Sequence, residues 1–287
     1  MSFYLTLIAE PGRLDPALIA HLGHSIGAGT PETLSPGEAV DLPCPAAPNP
    51  VAVRTLIGDA AVDAVVTSAA NRRKRLLIAD MDSTIVVGET LDELAHFAGV
   101  GDRVAAITAR AMAGEIDFKS ALRERVALLE GLDLAALERT WVATRMMPGA
   151  RELVATMRRH GAMTALVSGG FTFFTARVAA ALGFHENRAN ILLDDGAKLL
   201  GRVQDPILDR TSKLESLQEL ATLNGLTADD CLAVGDGAND LDMIRAAGLG
   251  VAYHAKPIVA DAARVRIDHG DLRALLFMQG YAVGDFA

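Results

Sequence analysis

The sequence predicts an α/β fold: a parallel-sheet core that carries a helical insertion and follows a small α/β domain. Three observations support this. Short apolar runs recur at 76–79, 163–167, 231–234 and 248–252, and each reads as a buried strand set among helical patterns. Residues 89–144 read as helix almost throughout, so they form an insertion in the alternating pattern. Residues before 72 carry a smaller alternation of their own, closed off by Arg72-Arg73-Lys74-Arg75. The expected division is 1–72 for the small α/β domain and 73–287 for the larger one, with the insertion at about 88–147. A length of 287 residues suits about two domains.

In the first domain, residues 3–9 read as a strand, 15–26 as a helix and 32–40 as a second strand. A connection rich in proline (Pro43, Pro45, Pro48, Pro50) follows, then a short helix from Val51 and a strand at 62–67. The layout resembles, in outline, an amino-acid-sensing regulatory domain. His21 and His24 share a helix face, but no third ligand lies nearby in sequence. The basic run at 72–75 reads as a solvated linker.

Composition narrows the function. Hydrophobic residues make up 51% and charged residues 22%, the balance of a globular protein with a sizeable core. The formal charge of −9 argues against nucleic acid as partner. No apolar run is long enough to span a bilayer, and the first ten residues lack the basic start of a signal peptide, so no membrane partner is expected. The two cysteines, Cys44 and Cys231, form no disulfide framework and no metal-ligand spacing, which fits a reducing cytoplasm. A homodimer stays open.

The chemistry concentrates where predicted strands end. Asp80 and Asp82 follow the run at 76–79, and two carboxylates so close repel unless a cation joins them. Such a pair suits Mg²⁺ beside a nucleophile, although solvated loop carboxylates are the ordinary alternative. Ser168-Gly169-Gly170 follows the run at 163–167 and offers a hydroxyl and backbone N–H groups to an anion, or else a plain helix cap. Lys213, early in an amphipathic helix, has the wrong sign for the helix dipole and hints at a phosphate. Gly235-Asp236-Gly237-Ala238-Asn239-Asp240 ends the run at 231–234, and Asp236 and Asp240 can converge on a cation. Ligands of open α/β sheets bind at the carboxyl ends of strands. Within the insertion, Glu89 and Arg125 have bland readings as a helix-dipole partner and a solvated charge.

In this order, Asp80-x-Asp82-Ser83-Thr84, Ser168-Gly169-Gly170, Lys213 and Gly235-Asp236-Gly237-x-Asn239-Asp240 resemble the motifs of the haloacid dehalogenase superfamily. More narrowly, the chain from about Arg75 resembles the phosphoserine phosphatase family. The marks are Glu89-Thr90, Asp92-Glu93-Leu94, Met112, Phe118, Leu122-Arg123-Glu124-Arg125-Val126 and Phe171 after the glycines. The resemblance covers roughly three quarters of the chain and is weak over the first 70 residues.

It implies a Rossmann-like sheet, a helical cap and Mg²⁺-dependent hydrolysis of O-phospho-L-serine to L-serine and phosphate, the last step of serine biosynthesis. Asp80 would be the nucleophile and Asp82 the general acid and base. Mg²⁺ would be held by Asp80, the Asp82 carbonyl and Asp236, with Asp240 orienting the ion's water ligands from outside. Ser168, Gly169, Lys213 and Asn239 would hold the phosphoryl group. Glu89 and Arg125 would read the ammonium and carboxylate of the substrate, and Met112 and Phe118 would line the closed pocket. A phosphatase for another small phosphoester, or a phosphotransferase, would share this core. A signalling receiver domain would leave Asp82 and the insertion without a use.

Overall fold

A computed structural model describes residues 2–287, and every side chain among them except that of Met112. The first unit runs β1 (Phe3–Ile8), α1 (Pro16–Ser25), β2 (Glu32–Ser35), β3 (Ala39–Cys44), α2 (Pro50–Ile57) and β4 (Asp63–Ser68). Its sheet has the order β2-β3-β1-β4 and is antiparallel throughout. Both helices begin with proline after a capping side chain: Asp15 accepts from Ala17 N at 2.8 Å, and Asn49 from Val51 N at 2.9 Å.

One expectation fails here. Pro43 lies inside β3, opposite Tyr4, and not in a connection. β3 pairs with β2 only as far as Asp41, so the missing N–H of Pro43 costs no ladder bond on that side.

Strand alternation divides the work of this sheet. Leu5 and Leu7 pack with Leu22, Val40, Leu42 and Val53 under the two helices, while Ile8, Ala39 and Val65 join the main core on the other face. Arg72 belongs to that second face. Its guanidinium grips both oxygens of Asp41 at 2.6 and 2.7 Å and donates to the Met278 carbonyl at 3.0 Å. It is therefore a partly buried clasp between the two units, which corrects the solvated-linker reading at Arg72, while Arg73 and Arg75 are exposed as expected. Glu38 pairs with Arg273 at 2.8 Å, and the Asp63 carboxylate accepts from the backbone N–H groups of Asp268 and Gly270 at 2.8 and 2.7 Å.

The larger unit begins with β5 (Leu76–Ala79). The insertion follows as α3 (Thr90–Phe97), α4 (Gly101–Met112), α5 (Phe118–Ala127) and α6 (Ala135–Ala143). Met112 lies in α4, but its side chain, expected to line the pocket, falls outside what the structure describes. The chain continues through α7 (Ala150–Arg159), β6 (Met163–Phe171), α8 (Thr172–Leu182) and β7 (Glu186–Asn190). Then come β8 (Leu192–Asp194), β9 (Leu199–Val203), α9 (Arg210–Leu223), β10 (Cys231–Gly235), α10 (Leu241–Ala246), β11 (Leu249–Tyr253), α11 (Pro257–Ala260), β12 (Val265–Ile267) and α12 (Ala274–Phe277). β8 and β9 form the expected hairpin.

The six-stranded sheet has the order β12-β11-β10-β5-β6-β7, parallel throughout. Every residue of β5 is buried, because both faces of a parallel sheet are covered. Leu76 and Ile78 face Leu217 and Leu220 of α9, and Leu77 and Ala79 face the larger core with Leu153 and Met157 of α7. From β5 the chain steps to β6 and β7 on one side, then returns to β10, β11 and β12 on the other. The carboxyl end of β5 is thus the switch point, where such sheets open a crevice.

Candidate active site

The switch point gathers three strand ends. Beyond β5, Asp80 is 5% exposed and Met81 is fully buried. The Met81 carbonyl accepts from the amides of Thr84, Ile85 and Val86 at 3.3, 2.8 and 2.9 Å, which folds the chain back on itself. Ser83 completes that turn with φ of +55°, a left-handed conformation that non-glycine residues seldom adopt. Asp82 Oδ1 accepts from Thr90 N at 3.0 Å, satisfying an open N–H in the first turn of α3 and tying the insertion to the core. Burial pushes the Asp82 carboxyl up to about 8, reinforced by the charges of Glu89 and Asp80. The shift favours the protonated carboxyl near neutral pH. Gly170 permits this arrangement, since a Cβ there would lie 2.8 Å from Asp82 Oδ2.

Beyond β10, the glycines let the chain turn back sharply. Asp240 Oδ2 accepts from Gly237 N at 3.0 Å, and a Cβ on Gly235 would sit 2.3 Å from Asp240 Cγ. Lys213 enters from α9, whose cap Asp209 accepts from Thr211 N at 3.0 Å. The Lys213 side chain is buried, with Nζ at 2.7 Å from Asp80 Oδ1 and 2.6 Å from Asp240 Oδ1. Burial alone would lower its pKa, but Asp240 and Asp80 together raise it, so the ammonium is held charged. Asp236 is pushed up to about 6, first by burial and then by Asp80, with Lys256 pulling against the shift.

Oxygen atoms of Asp80, Asp236 and Asp240 lie within 4.8 Å of one another. The three carboxylates outnumber the buried Lys213 ammonium and the exposed Lys256 beside Asp236. Burial with Asp80 nearby raises the pKa values of Asp236 and Asp240, a crowding of negative groups that a divalent cation relieves. An all-oxygen donor set suits a hard cation such as Mg²⁺. The residues present fit the metal that the motifs imply. Asp240, expected to orient the ion's water ligands, lies beside this cluster with Oδ1 held by Lys213 Nζ at 2.6 Å.

Beyond β6, Ser168 Oγ accepts from Gly170 N at 2.9 Å, which leaves the hydroxyl proton free to donate to an anion. Phe118, at the start of α5, lies over Gly169: a Cβ there would be 3.2 Å from its ring. Asn239, half-buried, borders the same loop as Asp236 and Asp240, with Oδ1 2.3 Å from where a Cβ on Gly237 would be. Glu89 is exposed at the mouth and accepts from Ser83 Oγ at 3.1 Å.

Arg125 is half-buried, and its Nε donates to the Ala121 carbonyl at 3.3 Å. Desolvation lowers its pKa against the opposing pull of Asp92 and Glu89, yet it forms no ion pair among the described residues. A partly desolvated guanidinium with open donors is suited to a bidentate carboxylate. Two further groups escaped the sequence reading. Thr84 is fully buried and donates to Asp236 Oδ1 at 3.4 Å, and Lys256 Nζ lies 3.8 Å from Asp236 Oδ2. Thr84 stood within a recognised motif without a role. Lys256 follows β11 in no motif.

Residues 77–245 match the model of the haloacid dehalogenase-like hydrolases. The chain belongs to that family. Among relatives, a phosphoserine phosphatase of Archaeoglobus fulgidus is 45% identical over 205 residues, 71% of this chain and 60% of the relative. The matched stretch spans 53% and 52% of the length of two further curated relatives. A haloacid dehalogenase family hydrolase of Salmonella enterica serovar Typhi is similar over 98% of this chain and 99% of its own, with TM-score 0.88 and 26% identity. A structure described as a phospho-aspartyl intermediate analogue of phosphoserine phosphatase covers 71% of this chain and 98% of its own, with TM-score 0.67 and 39% identity. This hydrolase-family site lies within the matched residues, apart from Lys256. No helix among the described residues is long and apolar enough to cross a membrane.

Proposed function

We propose that this chain is a Mg²⁺-dependent phosphoserine phosphatase acting through an aspartyl-phosphate on Asp80. The observation that carries the reading is the pair two residues apart. Asp80 is held by the Lys213 ammonium at 2.7 Å, while burial and the nearby carboxylates raise the Asp82 carboxyl to about 8. One carboxylate is thereby suited to attack and the other to give a proton.

In the first step an Asp80 oxygen forms a bond to phosphorus as the bond to the serine oxygen breaks, and the Asp82 proton passes to that leaving oxygen. In the second, the Asp82 carboxylate takes a proton from water as the water oxygen attacks phosphorus, releasing phosphate and regenerating Asp80. Asp80, Asp236 and the Asp82 carbonyl would hold Mg²⁺, with Asp240 beside them. When bound, the cation neutralises charge on the phosphoryl oxygens. Lys213, Ser168, Gly169 and Asn239 donate to the same oxygens, where charge builds in the transition state. Phe118 closes over Gly169 and keeps bulk water away from the intermediate.

Substrate choice falls to the insertion. Arg125 faces the carboxylate of phosphoserine and Glu89 its ammonium, and neither is needed for phosphoryl transfer itself. A small phosphoester fits this assignment, and nothing in it calls for nucleic acid or a membrane. Turnover of a panel of phosphoserine, phosphothreonine, an aryl phosphate and a sugar phosphate with Mg²⁺ tests it. Phosphoserine should have the highest kcat/KM. A sugar phosphate ranked first would overturn the assignment.

A further inference from the structure

Strand β6 leaves its ladder at the phosphate-binding segment. Ala165 to Val167 pair with Glu186 to Arg188, and the register resumes only at Phe171, opposite Asn190. Ser168, Gly169 and Gly170 pair with neither neighbouring strand. A bulge of this kind re-aims backbone groups and leaves a carbonyl without its ladder partner.

Asn190 supplies that partner from β7. Its side chain is 1% exposed, and Nδ2 donates to the Gly169 carbonyl at 2.8 Å. The same amide reaches a second segment: Oδ1 accepts from Leu208 N at 2.8 Å, and Nδ2 donates to the Leu208 carbonyl at 3.3 Å. Leu208 precedes Asp209, the cap of α9, and Lys213 follows within the next turn. One buried amide thus joins the Ser168–Gly170 bulge to the start of the lysine helix.

The geometry constrains the donors themselves. The Gly169 carbonyl and the Gly170 N–H belong to one planar peptide. Asn190 holds its oxygen, and Ser168 Oγ accepts from its N–H at 2.9 Å. With both ends held, the peptide cannot rotate, and the Ser168 oxygen has one lone pair committed away from the site. We propose that Asn190 is a positioning residue for phosphoryl binding, locking the bulge to the lysine helix so that both aim donors at one phosphate. The proposal rests on reading this centre as a phosphoester site.

The test is calorimetric titration of inorganic phosphate into the Mg²⁺-loaded protein, which needs no turnover and no choice of ester. Asn190→Asp keeps the shape and the acceptor for Leu208 N but cannot donate to Gly169. Asn190→Ala removes both contacts. Thr175→Val is the control, since it deletes another partly buried side-chain bond, from Thr175 Oγ1 to Asn187 Oδ1 at 2.9 Å, outside the phosphate-binding groups.

Both Asn190 variants should weaken phosphate binding by about tenfold or more. The control should lower only the melting temperature. Phosphate affinity within about twofold of wild type in Asn190→Asp would overturn the proposal. So would failure of both Asn190 variants to fold, which would assign the residue to the fold alone. Wild-type protein that binds phosphate but prefers another ester would fail the substrate assignment and leave this titration decisive. Wild-type protein that binds no phosphate would overturn both.

Discussion

Replacing Asp82 with asparagine isolates the proton-transfer step. The amide keeps the size of the carboxyl and its acceptor for Thr90 N, held at 3.0 Å, so the turn into α3 should survive. With its pKa raised to about 8 by burial, wild-type Asp82 favours the protonated form at neutral pH. An alkoxide leaving group such as serine needs that proton. General-acid contributions of about 10²–10⁴-fold correspond to about 3–5 kcal/mol, and kcat for phosphoserine should fall by that factor. An aryl phosphate departs as a stable phenolate, so its first step should be nearly spared. Its second step still lacks a base. Stopped-flow mixing of Asp82→Asn with an aryl phosphate should therefore show a burst of phenolate equal to the enzyme concentration, followed by slow turnover. Equal losses in the first step for both esters, or no burst, would refute this assignment of Asp82.

Three other outcomes follow from the geometry. Arg125→Ala should cost about 2–5 kcal/mol in kcat/KM for phosphoserine and far less for an aryl phosphate, measured by steady-state kinetics; equal losses would return Arg125 to the fold or the chemistry. Removing Mg²⁺ should expose a pH-dependent stability. Asp236 and Asp82 have folded values raised to about 6 and about 8, so they hold protons more tightly than the unfolded chain does. Their contribution is fully present below about pH 4 and is lost as pH rises through 6 and then 8. The melting temperature in chelator should fall across that window and recover with Mg²⁺, whose affinity should in turn weaken below pH 6 as Asp236 protonates. Deleting residues 1–72 should leave a chain that still hydrolyses substrate but melts earlier. It would lose the Arg72 clasp and expose the core face that Ile8, Ala39 and Val65 cover. An unchanged melting temperature would show that face to be immaterial.

Much of this was legible in the sequence because the informative residues lie in short local patterns. Asp80 and Asp82, the glycine turn at 235–240 and Ser168-Gly169-Gly170 each sit where an apolar run stops, and parallel strands place such ends together. The insertion was readable from helical spacing. What escaped depends on distant partners. β7 reads Glu-Asn-Arg-Ala-Asn, too polar to look like a strand, yet it pairs along β6 as a sheet edge. Asn190 therefore carried no signal. Arg72 looked like one more linker charge until the fold set it against Asp41, 31 positions away in the chain. Lys213 was expected at the phosphoryl group, but nothing local reveals that α9 points it between two aspartates.

The mechanism depends on transfer of the phosphoryl group of phosphoserine to Asp80. Its most direct test is to mix Asp82→Asn with phosphoserine and Mg²⁺, quench in acid and map the modified peptide by mass spectrometry. One phosphoryl group should accumulate slowly on the peptide that contains Asp80, be lost on mild base treatment and be absent in Asp80→Asn. A phosphoryl group on another residue, or turnover of phosphoserine by Asp80→Asn at a rate near wild type, would contradict it.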